Sequence, residues 1–401
     1  MRKHLLLFIL LIFVLIFSCC SNNAGFNDTG DNTLKQGSLK NTGETTTVAK
    51  KEIVYNIEKV TAPILPYAII FGFSDGMARY EVHGPKYPTT LDIAYGFINS
   101  KGEEVTPPIF SYAGDFSEGF AVVKYLETGN TTFIDTNGNK LIEPFYGGAY
   151  AFSDGLALIV DVDAGFVGYI DKTGKRVLEL KVSMRNAWSD GYINGWNVSS
   201  FSEGLARVWD GNTSKYGYID KTGKVVVRCE YDDAVSFKEG LACVRQGGKY
   251  GFIDKDGKLI IDFMFNERAY FSEGLAHVYL DNKCVYIDKE GKTKIESNMA
   301  GSMFIEGLAV NGKSMGGLNV VYGFIDKTGN QIIDLKYINV GTFKNGLAYV
   351  VYEDGTHAYI DKSGKEVVSG YLFGGSPFTE NLLIYKETKE GPWGIMKVTT
   401  N

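Results

Sequence analysis

The residues best placed to do chemistry in this chain recur as an Asp-Lys-x-Gly cluster. In "DTNGNKLIE", Asp135 to Glu143, the oxygens of Asp135, Asn137 and Asn139 fall at alternate positions, as in a Ca2+ loop. Such a loop also needs Gly at its sixth position and Glu at its twelfth, and here those places hold Lys140 and Tyr146. Sister stretches such as "VGYIDKTGK", "YGYIDKTGK", "YGFIDKDGK" and "HAYIDKSGK" put Lys at the fifth place, where it repels a cation. Acid–base chemistry is as thinly supplied. The four histidines are His4, His83, His277 and His357, and they share no motif. No HExxH occurs, and no Ser/His/Asp or Cys/His pairing has supporting spacing. The expectation is a protein that is not an enzyme and uses no metal and no cofactor.

The cluster has a mechanical reading instead. An Asp opening a turn accepts hydrogen bonds from backbone N–H groups two residues on. A Gly three residues later takes the left-handed conformation of a type I turn with a G1 bulge. This assigns structural turns to Asp135/Gly138, Asp171/Gly174, Asp220/Gly223, Asp254/Gly257, Asp288/Gly291, Asp326/Gly329 and Asp361/Gly364, with Asn99/Gly102 as a variant.

A second motif, F-x-[ED]-G-L-A-x-V, alternates with the first. It begins at Phe73, Phe116, Phe152, Phe201, Phe237, Phe271, Phe304 and Phe343, with a degraded copy at Phe378. Self-similarity at a period of about 35 residues means a repeat architecture. Runs such as "LARVWD", "YGYID" and "KVVVRCEY" are short and rich in Val, Ile and aromatics, and read as three strands per unit with very little helix. Gly is abundant at 48 and Pro sparse at 9, which suits strands joined by tight turns. Two aromatic columns, Tyr95/Tyr216/Tyr250/Tyr322/Trp393 and Phe97/Phe133/Tyr169/Tyr218/Phe252/Tyr286/Phe324/Tyr359, lie two residues apart on one strand face and read as a core ladder.

Binding residues are sought where the repeat breaks. The x of L-A-x-V varies freely and offers Arg79, Arg207, His277 and Tyr349. An insertion, "SMRNAWSDGYINGWNVSS", carries Trp188, Tyr192 and Trp196 among Gly, Asn and Ser, a composition suited to gripping a sugar ring or a peptide.

The N-terminus is a separate object. "MRKH" precedes an apolar run, Leu5 to Phe17, too short to span a bilayer but proportioned as a secretory core. Ile16-Phe17-Ser18-Cys19 resembles the bacterial lipobox, although Phe17 departs from its usual small or aliphatic residue and Cys20 offers a competing site. The resemblance implies a lipoprotein signal peptide over 1–18 and lipidation of Cys19. An ordinary signal peptide or an uncleaved anchor are the alternatives, and each exports the rest of the chain. Residues 19–50 are Ser-, Asn-, Thr- and Gly-rich and read as a flexible tether. Lys and Arg number 41 against 47 Asp and Glu without a basic patch, so nucleic acid is a poor partner. Cys229, Cys243 and Cys284 lack CxxC spacing and leave open whether two of them pair.

Aromatic-Gly-[YF]-I-[DN]-x-x-G-K together with F-x-[ED]-G-L-A resembles the WG (or KWG) repeat of bacterial proteins. Tyr replaces the name-giving Trp at Tyr95, Tyr216, Tyr250 and Tyr322, and only Trp393-Gly394 keeps the literal pair. The resemblance implies a WG-repeat β domain over 51–401, about eight repeats with a partial terminal one, and implies no activity.

The expected fold is all-β: tandem β-meander repeats in an open solenoid-like array. The alternative is a β-propeller of about eight blades, closed by the "IVYNIEKV" segment from Ile53 pairing with a C-terminal strand. In that case the stretch before each Phe, such as "EYDDAVS", supplies a fourth strand. The expected function is a non-catalytic binding or scaffold protein, lipid-anchored to the bacterial cell membrane with its folded domain outside the cytoplasm, contacting protein or glycan of the envelope. A carbohydrate-active enzyme using paired carboxylates and a purely structural envelope spacer are the alternatives.

Overall fold

The computed structural model describes residues 53–84, 93–180, 198–280, 283–297, 301–316, 319–373 and 378–400, and the backbone of 188–189 and 192–193. The expected signal peptide, the expected lipidation site Cys19 and the expected tether lie outside the described residues. Ile57–Thr399 forms one compact unit, which holds the repeats, and Met1–Asn56 with Thr400–Asn401 is assigned to another.

Among the described residues every regular element is a strand. The repeat at Phe237 shows the plan. Asp233–Ala234, Ala242–Gln246, Lys249–Ile253 and Leu259–Phe265 pair antiparallel in chain order. The two-residue first strand comes from "EYDDAVS", so each complete unit has four strands rather than three. F-x-[ED]-G closes the hairpin between first and second strands. Both loop residues have positive φ, 54° at Glu239 and 85° at Gly240, as a two-residue type I′ loop requires. The motif thus turns the chain within a unit, not between units.

The Asp turns join third and fourth strands as expected. In the turn at Asp220, Oδ1 accepts the N–H of Thr222 at 2.9 Å and of Lys224 at 3.1 Å, and Gly223 has φ 83°. Asp135, Asp171, Asp254, Asp288, Asp326 and Asp361 repeat the pattern. Their glycines are left-handed too, with φ 82° at Gly138, Gly174 and Gly257, 79° at Gly291, 86° at Gly329 and 83° at Gly364. The Thr222 hydroxyl, with these N–H groups, holds the Asp220 carboxyl below its usual range.

These glycines have a second role besides the turn. Each also lies against the fourth strand of the preceding unit. A Cβ on Gly138 would stand 3.0 Å from the Thr106 side chain, and on Gly257 it would stand 3.2 Å from Val227. On Gly291, Gly329 and Gly364 it would meet Ile261, Ile295 and Ile333 at 3.1, 3.0 and 3.3 Å. The turn tip is thus a packing surface between units, which a motif read within one unit does not reveal.

The Gly after the first aromatic column has another cause. Tyr216 pairs with Tyr231 but Tyr218 pairs with Val227, so the fourth strand bulges between them. A Cβ on Gly217 would sit 2.5 Å from the Val227 oxygen, and on Gly251 and Gly323 it would meet the Ile261 and Ile333 oxygens at 2.6 and 2.3 Å. Only Gly lets the bulge close onto the third strand.

The core lies between consecutive units. Leu205, Tyr218 and Val227 pack on Ala234, Phe237, Ala242, Val244 and Ile253. The second aromatic column is buried and meets the Phe of the following unit, with ring centroids 4.7 Å apart for Tyr218–Phe237 and 5.0 Å for Phe252–Phe271. Such ring pairs add about 0.5–1.5 kcal/mol each beyond area burial. Where the ladder uses Tyr, its hydroxyl donates onward to the next unit: Tyr169 to Ser199 O and Tyr218 to Val235 O, both at 2.6 Å.

The ends decide between the two architectures. Tyr55–Leu65 joins the C-terminal sheet in the order Tyr55–Leu65, Trp393–Thr400, Leu382–Lys386, Leu372–Phe373. Thr61 Oγ1 accepts the Ile395 N–H at 2.9 Å, and Lys59 pairs with Glu387 at 2.8 Å. The same sheet packs on the first repeat, with Leu382, Ile384, Trp393 and Ile395 against Ala78, Tyr80 and Ile98. The fold is therefore the closed alternative, a β-propeller arrangement of eight contiguous meander units sealed by a sheet drawn from both ends. The open array is corrected. A terminal pairing that buries two otherwise bare edge strands outweighs the freedom of ragged ends.

Candidate functional site

The motif residues that looked chemical are spent on joining units. The acidic residue of each F-x-[ED]-G loop reaches the Gly N–H of the next: Asp75 to Gly119, Glu118 to Gly155, Asp154 to Gly204, Glu203 to Gly240, Glu239 to Gly274, Glu273 to Gly307 and Glu306 to Gly346. Glu380 closes the circuit onto Gly76 at 2.9 Å. The turn lysines join in, Lys255 to Glu203 at 3.2 Å and Lys327 to Glu273 at 2.9 Å. Burial disfavours the Glu203 charge, but the Gly240 N–H and Lys255 outweigh it and keep the carboxyl below its usual range. Neither the acid nor this lysine has a role when the motifs are read within one unit. The signal was present as opposite charges at fixed places in most units.

In the variable column of L-A-x-V, Arg79, Arg207 and His277 reach the neighbouring unit, and Tyr349 bonds within its own. Each x residue stands opposite the buried aromatic column, as Arg79↔Phe97, Arg207↔Tyr218, His277↔Tyr286 and Tyr349↔Tyr359. Arg207 Nη1 donates to Ala234 O at 2.7 Å, and its guanidinium lies 5.3 Å from the Tyr216 ring centroid. Arg79 Nη1 donates to Ala113 O and its guanidinium stacks 4.0 Å from the Phe71 ring centroid. His277 Nε2 accepts the Gly301 N–H at 3.1 Å, and burial lowers its pKa to about 4. Tyr349 hydrogen-bonds His357 Nδ1.

A polar cluster unread in the sequence sits nearby. The buried Asp233 accepts Tyr250 OH at 2.7 Å and Arg268 Nε and Nη2 at 2.6 and 2.8 Å. Burial opposes its charge, yet Arg268 and Tyr250 hold the carboxyl below its usual range. Its bonds run within and between units, so the cluster braces the joint. Cys229, Cys243 and Cys284 are free thiols, and burial pushes Cys243 up to about 12. Among the described residues no group of three or more His, Cys, Asp or Glu could hold a metal ion.

Two places bear on the expected sugar or peptide ligand. The insertion before Phe201 forms an antiparallel ribbon, Trp188 opposite Ile193 and Ser189 opposite Tyr192. The Trp188 and Tyr192 side chains and all of Trp196 lie outside the described residues. The second place is a cavity of about 580 Å3 lined by Glu143, Asp161, Asp163 and Arg176 over Phe145 and Ile159. Asp161 is buried, bound by Arg176 at 2.6 Å, and accepts the Ala164 N–H at 3.1 Å.

Five segments, 95–126, 132–161, 216–250, 250–284 and 322–355, match the model described as "WG containing repeat". Among solved structures the chain is similar to one titled "Crystal structure of the eukaryotic initiation factor", with TM-score 0.51 and 13% identity over 79% of this chain and 90% of that one. It is also similar to the computationally designed Ika8 protein, with TM-score 0.42 and 16% identity over 72% and 96% of the two chains. No curated protein matches. At these identities the structural likeness is one of fold, and the repeats of this chain match the WG containing repeat.

Proposed function

We propose that this protein is a non-catalytic binding or scaffold module of the bacterial cell envelope. It is tethered through lipid on Cys19 and presents its propeller outside the cytoplasm to a protein or glycan. The observation that carries the reading is the ribbon at Trp188–Ser189 and Tyr192–Ile193. It interrupts the repeat, while the repeated polar groups are engaged in holding units together. Arg79, Arg207 and His277 then tune the joints, and Trp188, Tyr192 and Trp196 supply the contact surface. The test is capture from envelope extract by the lipid-free propeller and its Trp188→Ala/Trp196→Ala variant. A specific partner held by the first and lost by the second supports the ribbon as the site; equal capture rejects it. For the anchor, fatty-acid labelling should disappear in Cys19→Ala.

One observation favours a second reading, a carbohydrate-active enzyme. Glu143, Asp161 and Asp163 line one cavity. Because Asp161 is tied to Arg176, the working pair would be Glu143 and Asp163. Glycan hydrolysis abolished by Glu143→Gln would establish it.

A further inference from the structure

Five joints between units share one arrangement. A glutamate accepts the next unit's Gly N–H and the ammonium of a lysine in the next unit's Asp turn. The ion pairs are Glu118–Lys172 at 3.0 Å, Glu203–Lys255 at 3.2 Å, Glu239–Lys289 at 3.5 Å, Glu273–Lys327 at 2.9 Å and Glu306–Lys362 at 3.1 Å. At the closing joint Glu380 holds the Gly76 N–H in the same way, at 2.9 Å. The turn there reads Asn99-Ser100-Lys101-Gly102, with Ser100 where those five turns carry lysine. The consequence is visible: the five sister glutamate side chains are 28–30% exposed, whereas Glu380 is an exposed residue. A cavity of about 410 Å3 opens at this place, lined by Ser100, Glu380, Glu58, Lys101 and Lys397 over Val60 and Leu382.

We propose that this cavity receives a primary alkylammonium group, which binds Glu380 as a lysine ammonium binds each of the five sister carboxylates. The alkyl stem lies over Val60 and Leu382, as a lysine stem lies along apolar surface while its head pairs. The exposed Lys101 and Lys397 balance Glu58 and Glu380 in formal charge, so selectivity rests on the position of Glu380 and not on a net field. The site is separate from the ribbon at 188–193. The group comes from a free amine or from a lysine side chain of a polypeptide, and the two sources are separable.

The test uses the full mature chain, titrated with n-butylammonium and with acetyl-Gly-Lys-Gly-amide and followed by calorimetry. The variants are Ser100→Lys, which restores the residue of the five sister turns, and Glu380→Gln. Saturable binding of either probe that weakens at least about tenfold in both variants supports the site. Tighter binding of the peptide identifies a polypeptide lysine, and tighter binding of n-butylammonium a free amine. An unfolding midpoint for Ser100→Lys no lower than wild type shows that the variant folds. No saturable binding to wild type, undiminished binding to Ser100→Lys, or equal binding of n-butyrate overturns the proposal.

Discussion

His277 offers a sharp energetic test of how units are joined. Its ring packs 5.0 Å from Tyr286, and its Nε2 accepts the Gly301 N–H of the next unit at 3.1 Å. That bond needs the neutral ring with its proton on Nδ1. Protonation would turn the acceptor toward another donor and charge a shielded group. Burial accordingly lowers the pKa from 6.5 to about 4, against a smaller opposing pull from Glu267. The unfolded chain binds the proton first, so stability is unaffected above about pH 6.5 and falls as pH drops from there toward about 4. Working the two values through linkage gives a loss of about 2 kcal/mol by pH 5 and about 3 kcal/mol by pH 4. The assay is denaturant unfolding of wild type and His277→Gln at pH 7.5 and pH 5. Carboxylate titrations are common to both proteins and cancel in the comparison. Wild type should lose about 2 kcal/mol more than the variant between these pH values. Identical pH dependence would refute the burial argument.

Further outcomes follow from the same geometry. Gly251→Ala drives a Cβ to 2.6 Å from the Ile261 oxygen and should cost about 1–3 kcal/mol, read as a lowered unfolding midpoint. Gly114→Ala, whose nearest neighbour would lie at 3.6 Å, should be nearly silent. Glu273→Ala removes the acceptor of the Gly307 N–H at 3.0 Å and the partner of Lys327 at 2.9 Å, at a cost of roughly 1–2 kcal/mol by chemical denaturation. Burial raises the Glu273 carboxyl, but Lys327 and the Gly307 N–H lower it more, so its folded pKa sits below 4.5. Its contribution is therefore present above about pH 4.5 and lost as pH falls through the lower folded value.

What could be read from the sequence was what is local. The Asp turns and their glycines depend on hydrogen bonds two to four residues apart, and "DKTG" specifies them without reference to the fold. The Phe anchors and the second aromatic column were legible as core because they repeat at fixed places. The first strand was read only under the propeller alternative, since Asp233–Ala234 is two residues long and depends on its pairing with Ala242–Gln246. Closure was likewise read only as the alternative, because it depends on contacts spanning most of the chain, such as Lys59 with Glu387. The variable column looked like surface because its residues differ in type. Its place two residues after the buried Leu of L-A-x-V carries the opposite message, since alternation puts both on one strand face. Variation there reflects joints of different size and polarity, with Val310 and Cys243 buried where Arg207 reaches a carbonyl. The ribbon at 188–193 was found as an interruption, but its pairing was not, because Gly, Asn and Ser carry no strand pattern.

The repeated residues join the units and close the chain on itself. Zero-length carbodiimide coupling reads that closure on the protein itself, because Lys59 Nζ lies 2.8 Å from Glu387 Oε1. Treated at low concentration, the monomer should yield an isopeptide joining Lys59 to Glu387, identified by mass spectrometry of the digested monomer. Coupling of both residues only to sequence neighbours, or only in cross-linked oligomers, would contradict the closed ring.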